Sequence, residues 1–303
     1  MQHVPFTDDE IRVQCRNHLA QRTPGVDDDR ANFVVLQPET SNGSFAVKIA
    51  SDFDKPGLRY ELAFMTFLNK LPRSNRYKVP RGYGIVKDDN RDYLVMEYLE
   101  GPTMWEVMKY GAADLPERDA NDIAAALQEL RNNSKCRQDL LDSNRLTPLG
   151  HWHPQSYIFS PDRDGGRSVA NLEDFKDFMT VRFEKAGVDM AIVPLSGWVL
   201  THDDLSPHNF KRCADNRIGI LDLRTTFLAP FWWEFYGLHQ SRETEKWIIP
   251  LKKAMHRYEM AAPEPVVQEL DDKWMDWFVK QGPSYGRMER KLGKGKFESP
   301  IPT

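Results

Sequence analysis

The spacing of polar residues between Leu200 and Asp222 constrains this chain more than any other feature. An apolar run, Trp198-Val199-Leu200, leads into Thr201-His202-Asp203-Asp204-Leu205-Ser206-Pro207-His208-Asn209. Two β-type runs follow, Phe210 to Cys213 and Arg217 to Leu221, turning through Ala214-Asp215-Asn216, and the second ends at Asp222. A hairpin of this kind brings both ends of its segment together, so Asp222 is expected beside Asn209. His202, Asp204 and Asn209 match H-x-D-x-x-x-x-N, a pattern that chance would produce about 0.04 times in a chain of this length, before the strand and hairpin are required. The plainer alternative is that Asp204 and Asn209 cap a turn, which favours both residue types.

These residue types suit phosphoryl transfer. That reaction asks the protein to position a hydroxyl, hold magnesium and neutralise charge on the transferred group. Asp204 would supply a base near an acceptor hydroxyl, Asn209 an amide oxygen for a metal, and Asp222 the hard anionic oxygen that magnesium prefers.

The N-terminal third predicts a sheet with helices around it. Thr7-Asp8-Asp9-Glu10 resembles a capping box ahead of a helix carrying Ile11, Val13 and Leu19. Asn32 to Gln37 and Ser44 to Ile49 read as strands around Asn42-Gly43, and Gly82 to Lys87 and Asp92 to Met96 read as a second hairpin. Between them Arg59 to Leu68 has helical spacing. Lys48 thus falls near the end of a strand, and Glu61 lies 13 residues later on the next helix. In kinases a strand lysine contacts the nucleotide phosphates, and a helix glutamate can fix its direction. Taken singly, each could equally be a solvated surface residue.

After Glu97-Tyr98-Leu99-Glu100-Gly101-Pro102 helical patterns dominate, including Asp119 to Arg131 and Leu172 to Phe183. Leu146 to Arg167 reads as a long loop, and the last sixty residues as helical and aromatic before a basic tail, Arg287 to Lys296. The expected fold class is α+β: a bilobal kinase-like fold with a β-rich N-lobe over residues 1–97 and a mostly helical C-lobe over 98–303.

Over roughly residues 33 to 240 the chain resembles the aminoglycoside phosphotransferase family, which includes choline-kinase-like small-molecule kinases. The run Thr201 to Asn209 looks like that family's catalytic loop, and Ile220-Leu221-Asp222 like its metal-binding segment. Pro230, Trp233 and Glu234 stand where many members, fungal ones especially, carry a Pro and a Trp-Glu pair. The resemblance implies Asp204 as catalytic base and Asn209 and Asp222 as Mg2+ ligands. It also implies Lys48 on the phosphates of ATP (or GTP), Glu61 orienting it, and Glu97 to Leu99 as the hinge meeting the base. Three features depart from the pattern. Asp203 replaces a usual glycine and could raise a neighbour's pKa or bind a cationic substrate. Arg224 stands where many relatives carry an acid, and no glycine-rich loop precedes Lys48; the nearest candidate, Gly25 to Asp29, is acidic.

The remaining features narrow the function classes. Lys plus Arg number 41 against 45 Asp plus Glu, a net charge of -4 that offers no general attraction to nucleic acid or anionic membrane. Cys15, Cys136 and Cys213 are too dispersed for a disulfide framework or a metal clip, and no apolar run approaches membrane-spanning length, so a cytoplasmic protein is expected. His151-Trp152-His153 lacks a third metal partner. Trp232, Trp233, Trp247, Trp274 and Trp277 could cage a cation but are expected in the core. The expected activity is an ATP- and magnesium-dependent phosphotransferase with a small-molecule substrate. The alternative is a kinase-like protein with altered chemistry, whether a binding module or another reaction in the same site.

Overall fold

The structure, a computed structural model, describes residues 6–21, 33–37, 44–51, 55–89, 91–132, 142–147, 149, 169–185, 187, 189–239 and 243–261. The first helix, α1 (Asp8–Ala20), opens with the expected capping box: the Glu10 amide donates to the Thr7 hydroxyl, and the Thr7 amide to the Glu10 carboxylate at 2.7 Å. Ile11 and Cys15 turn inward. Val13 is 54% exposed, because a two-residue step from Ile11 rotates it about 200° around the helix.

Four antiparallel strands, β1 (Phe33–Leu36), β2 (Phe45–Ser51), β4 (Gly82–Lys87) and β5 (Arg91–Glu97), form a sheet in the order β1-β2-β5-β4. A two-residue strand, β3 (Tyr77–Lys78), precedes β4. Because β2 and β5 are central, both of their faces are covered. Val47, Ile49, Tyr93 and Val95 join Val34, Leu36, Ile11 and Cys15 beneath α1. Ala46, Ala50, Leu94 and Met96 join Tyr60, Phe64 and Met65 of α2 (Lys55–Leu68). Side chains alternate along a strand, so Lys48, between Val47 and Ile49, lies on the α2 side with Ala46 and Ala50. The helix α2 begins four residues before the expected Arg59, with Pro56 in its first turn, where the missing amide hydrogen costs nothing.

The segment leaving β5 is pinned to the second half of the molecule. Gly101 has φ +122, and a Cβ there would lie 1.9 Å from the carbonyl oxygen of Arg212, so only glycine fits. The Arg212 amide then donates to the Pro102 carbonyl at 2.9 Å, and Thr103 bridges Lys211.

Beyond this point lie helices α3 (Met104–Val107), α4 (Glu117–Asn132), α5 (Leu172–Lys185), α6 (Trp233–His239) and α7 (Glu245–Arg257). Two small sheets sit among them. The predicted hairpin forms as β7 (Phe210–Arg212) and β8 (Ile218–Ile220), with Asn216 at φ 65 in its turn, and β3 adds to β8 in parallel. The apolar run Trp198-Val199-Leu200 opens β6 (Trp198–His202), paired antiparallel with β9 (Thr226–Pro230). Neither β3 nor β9 is legible in sequence: one is two residues long, and the other is a five-residue buried run without periodicity. Trp232, Trp233 and Trp247 are fully buried, as expected of core, each contributing about 1.5–3 kcal/mol or more of apolar burial.

The described residues include no helix long and apolar enough to cross a membrane. Trp274, Trp277, the basic tail, Gly25 to Asp29, His151 to His153 and nearly all of the long loop fall outside the described residues.

Candidate active site

Residues from three separate elements meet at Lys48. Its Nζ donates to Glu61 Oε2 at 2.8 Å and to Asp222 Oδ1 at 2.7 Å. Glu61, on the inner face of α2, is 1% exposed. Burial pulls the Lys48 pKa down, but the charges of Asp222 and Glu61 outweigh it and hold the ammonium above its ordinary value. Burial raises the Glu61 carboxyl more than the facing Lys48 lowers it. Asp222 moves the other way: burial opposes its charge, yet Lys48 and Arg224 hold its carboxyl below the usual carboxylate range. Asp222 itself adopts a left-handed conformation, φ 53 and ψ 57, which Asp tolerates better than most residues.

Asn209 and Asp222 are brought side by side as the hairpin predicted. The Leu221 amide donates to the Asn209 carbonyl at 2.8 Å, and Phe210 pairs with Ile220. The Asn209 side-chain Nδ2 donates to the backbone carbonyl of Asp204 at 3.0 Å. This bond ties metal-ligand candidate to base candidate and leaves the amide oxygen as the end that suits a cation.

The loop carrying Asp204 is held from several directions. At its start the His202 amide donates to Glu234 Oε1 at 2.7 Å, while Glu234 Oε2 accepts Arg131 Nε at 2.9 Å from α4. Trp233 Nε1 donates to Asp203 Oδ1 at 2.6 Å, and Trp247 Nε1 to the Leu205 carbonyl at 2.8 Å. Ser206 donates to Glu243 at 2.8 Å. Trp233 and Glu234, the Trp-Glu pair of the family resemblance, fix the two residues that precede Asp204. The His202 ring is fully buried, its Nδ1 3.4 Å from the Thr226 hydroxyl, and burial holds its pKa below the ordinary value despite the opposing charges of Asp204, Asp222 and Glu234.

One expectation changes. Asp203 is 2% exposed and turned to Trp233, so it is a buried anchor of the loop, not a second carboxylate offered to a cationic substrate. The Glu97 carboxylate is engaged by Lys78 Nζ at 2.6 Å and by the Arg81 amide at 3.2 Å. Any contact of Glu97 with a nucleotide base therefore falls to its backbone. Leu99, also expected at the hinge, is buried at 3% exposure and meets Gly219 of β8.

Phe33 and Val35 belong to no motif of the sequence. They pair with Lys48 and Ala46 and so share their face of the sheet, yet remain 37% and 41% exposed. An open apolar shelf beside the strand lysine suits a flat base. The run Phe33-Val34-Val35-Leu36 is apolar throughout, so its sequence carries no sign of which face stays open.

The donor set fits magnesium. Asp222 and Asn209 offer hard oxygens, and Mg2+ takes one or two protein oxygens and completes its shell with phosphates and water. The described residues contain no group of three or more His, Cys, Asp and Glu placed to hold a metal without such a partner.

A model of the phosphotransferase enzyme family matches residues 25–270 of the chain. No curated protein matches the sequence. Among solved structures, the streptomycin–ATP–APH(2")-IIa ternary complex is similar at 17% identity, covering 95% of this chain and 96% of that chain with a TM-score of 0.52. The gentamicin–APH(2")-IIa complex is similar at 18% identity, covering 95% and 93% with a TM-score of 0.53. At these identities the likeness is one of fold.

Proposed function

Because the chain belongs to the phosphotransferase enzyme family, we propose that it is a magnesium- and ATP-dependent kinase that phosphorylates a hydroxyl group of a small molecule. The observation that carries this reading is the convergence of Lys48, Glu61 and Asp222, from three separate segments, beside the loop that presents Asp204 and Asn209. Asp204 would accept the proton of the acceptor hydroxyl as it attacks. Lys48, aimed by Glu61, would contact the nucleotide phosphates. Asn209 and Asp222 would hold magnesium, which when bound offsets charge on the transferred group. Phe33, Val35 and the backbone from Glu97 to Leu99 would receive the base of ATP, with GTP as the other nucleotide this shelf could take.

The same reading places a lobe boundary between Glu97, where β5 ends, and Tyr98, and gives the protein a cytoplasmic setting. It is further supported by Pro230, Trp233 and Glu234, the pattern the sequence shares with fungal-type members. The alternative of a kinase-like protein without catalysis loses one of its motives, since Asp203 is committed to Trp233.

A thermal-shift titration tests the reading first. Mg-ATP at 100 times its dissociation constant should stabilise the fold by about 2.7 kcal/mol. Incubation with hydroxyl-bearing metabolites should then yield a product heavier by one phosphate group. Absence of any shift at millimolar nucleotide would reject the proposal.

A further inference from the structure

Arg224 is the charged residue of the site to which the chemistry above gives no task. Its Nε lies 3.2 Å from Asp222 Oδ1, the same oxygen that accepts from Lys48 at 2.7 Å. One carboxylate oxygen thus serves two cations, while the second contact of Lys48 is Glu61 at 2.8 Å. As ions, Lys48, Arg224, Glu61 and Asp222 sum to zero. Asp204, whose charge with that of Asp222 acts on the His202 ring, adds a further negative charge beside these four.

A divalent cation arriving alone at Asp222 would meet two positive groups already on that carboxylate. It would have to displace them and then lie within a few ångströms of both. A polyphosphate meets the opposite situation, because the guanidinium fork and the ammonium are both suited to its oxygens. An acid at position 224 would reverse this balance and present two carboxylates to a bare metal ion.

We propose that Arg224 binds phosphate and makes cation binding at Asp222 conditional on nucleotide. The polyphosphate draws Arg224 and Lys48 from Asp222 Oδ1, and only then is the carboxylate open to magnesium. This rests on the phosphotransferase reading and adds an order to it: nucleotide before or together with the metal, never the metal alone. The Arg224 side chain is 41% exposed, so replacing it does not open the core.

The test compares the wild-type protein with Arg224→Met and Arg224→Glu by calorimetry, using Mn2+ alone, ATP in EDTA, and Mg-ATP. Wild type should bind ATP in EDTA and take up no Mn2+ in the absence of nucleotide. Arg224→Met should weaken ATP binding in EDTA by about tenfold or more, the effect of losing a charge-assisted phosphate contact. Arg224→Glu should abolish that binding and gain Mn2+ binding without nucleotide. The inference is overturned if Arg224→Met binds ATP in EDTA as wild type does, or if wild type takes up Mn2+ alone as tightly as Arg224→Glu. Wild type that binds Mg-ATP while all three proteins behave alike refutes only the role of Arg224. Wild type that binds no nucleotide under either condition refutes the kinase reading and the inference together.

Discussion

Trp233 Nε1 donates to Oδ1 of Asp203 at 2.6 Å, with both residues sealed from solvent. Asp203 and Asp204 are chain neighbours, yet this bond divides their tasks: Asp203 is spent on holding the loop, and Asp204 remains half-buried at the site. Replacing Asp203 by Ala should leave the indole N–H buried without a partner and cost about 1–3 kcal/mol of stability. Urea denaturation measures the loss, and the Asn variant, which keeps an acceptor, should recover part of it. A change confined to acceptor KM with stability intact would instead mean that Asp203 faces substrate.

Asp204→Asn should lower kcat by about 10²- to 10⁴-fold, or about 3 to 5 kcal/mol of barrier. Because Asp204 contributes its backbone carbonyl, not its side chain, to the bond from Asn209, melting temperature and nucleotide affinity should be unchanged. Undiminished turnover would remove Asp204 from the role of base.

Glu234 joins α4 to the start of the loop that carries Asp204 through Arg131 and the His202 amide, and it is fully buried. Glu234→Ala should cost about 3–5 kcal/mol, because it removes one member of a buried ion pair. Glu234→Gln keeps an acceptor for the His202 amide and should be milder. Equal, small losses for both variants in chemical denaturation would show that the pair is dispensable.

His202 contributes a pH dependence whose sign follows from its burial. Its pKa is lower in the folded protein than its ordinary 6.5, so the unfolded chain binds a proton that the native ring refuses. The stability this group supports is fully present above about pH 6.5 and declines as pH falls from there through the folded value. Unfolding free energies from pH 8 to 5 should show that slope, and His202→Asn should flatten it whatever its effect on absolute stability. An unchanged slope in the variant would assign the acid sensitivity elsewhere.

Lys48→Met should abolish nucleotide binding, since the methionine fills the space of the stem but supplies no charge. It also leaves Glu61, at 1% exposure, facing Asp222 and Arg224 without its cation. Calorimetry with Mg-ATP reads the first effect. Retained affinity within about twofold would show that the lysine does not touch phosphate.

The local chemistry of this protein is legible in its sequence because it is written at short, fixed spacing. The capping box of α1, the hairpin from Phe210 to Ile220 and the H-x-D-x-x-x-x-N loop each depend on residues fewer than about fifteen apart, where turn geometry and side-chain type decide the outcome. The order Lys48, Glu61, Asp204, Asn209, Asp222 was equally visible. Which way each side chain points was not. Lys48 and Asp222 are 174 residues apart, and only packing of α2 against the sheet and β9 against β6 closes that distance. The direction of Asp203, the capture of the Glu97 carboxylate by Lys78 and the second cation on Asp222 are likewise tertiary facts. A one-dimensional pattern carries residue types and their periods, whereas the partner that satisfies a buried polar atom is chosen by whatever the fold brings beside it.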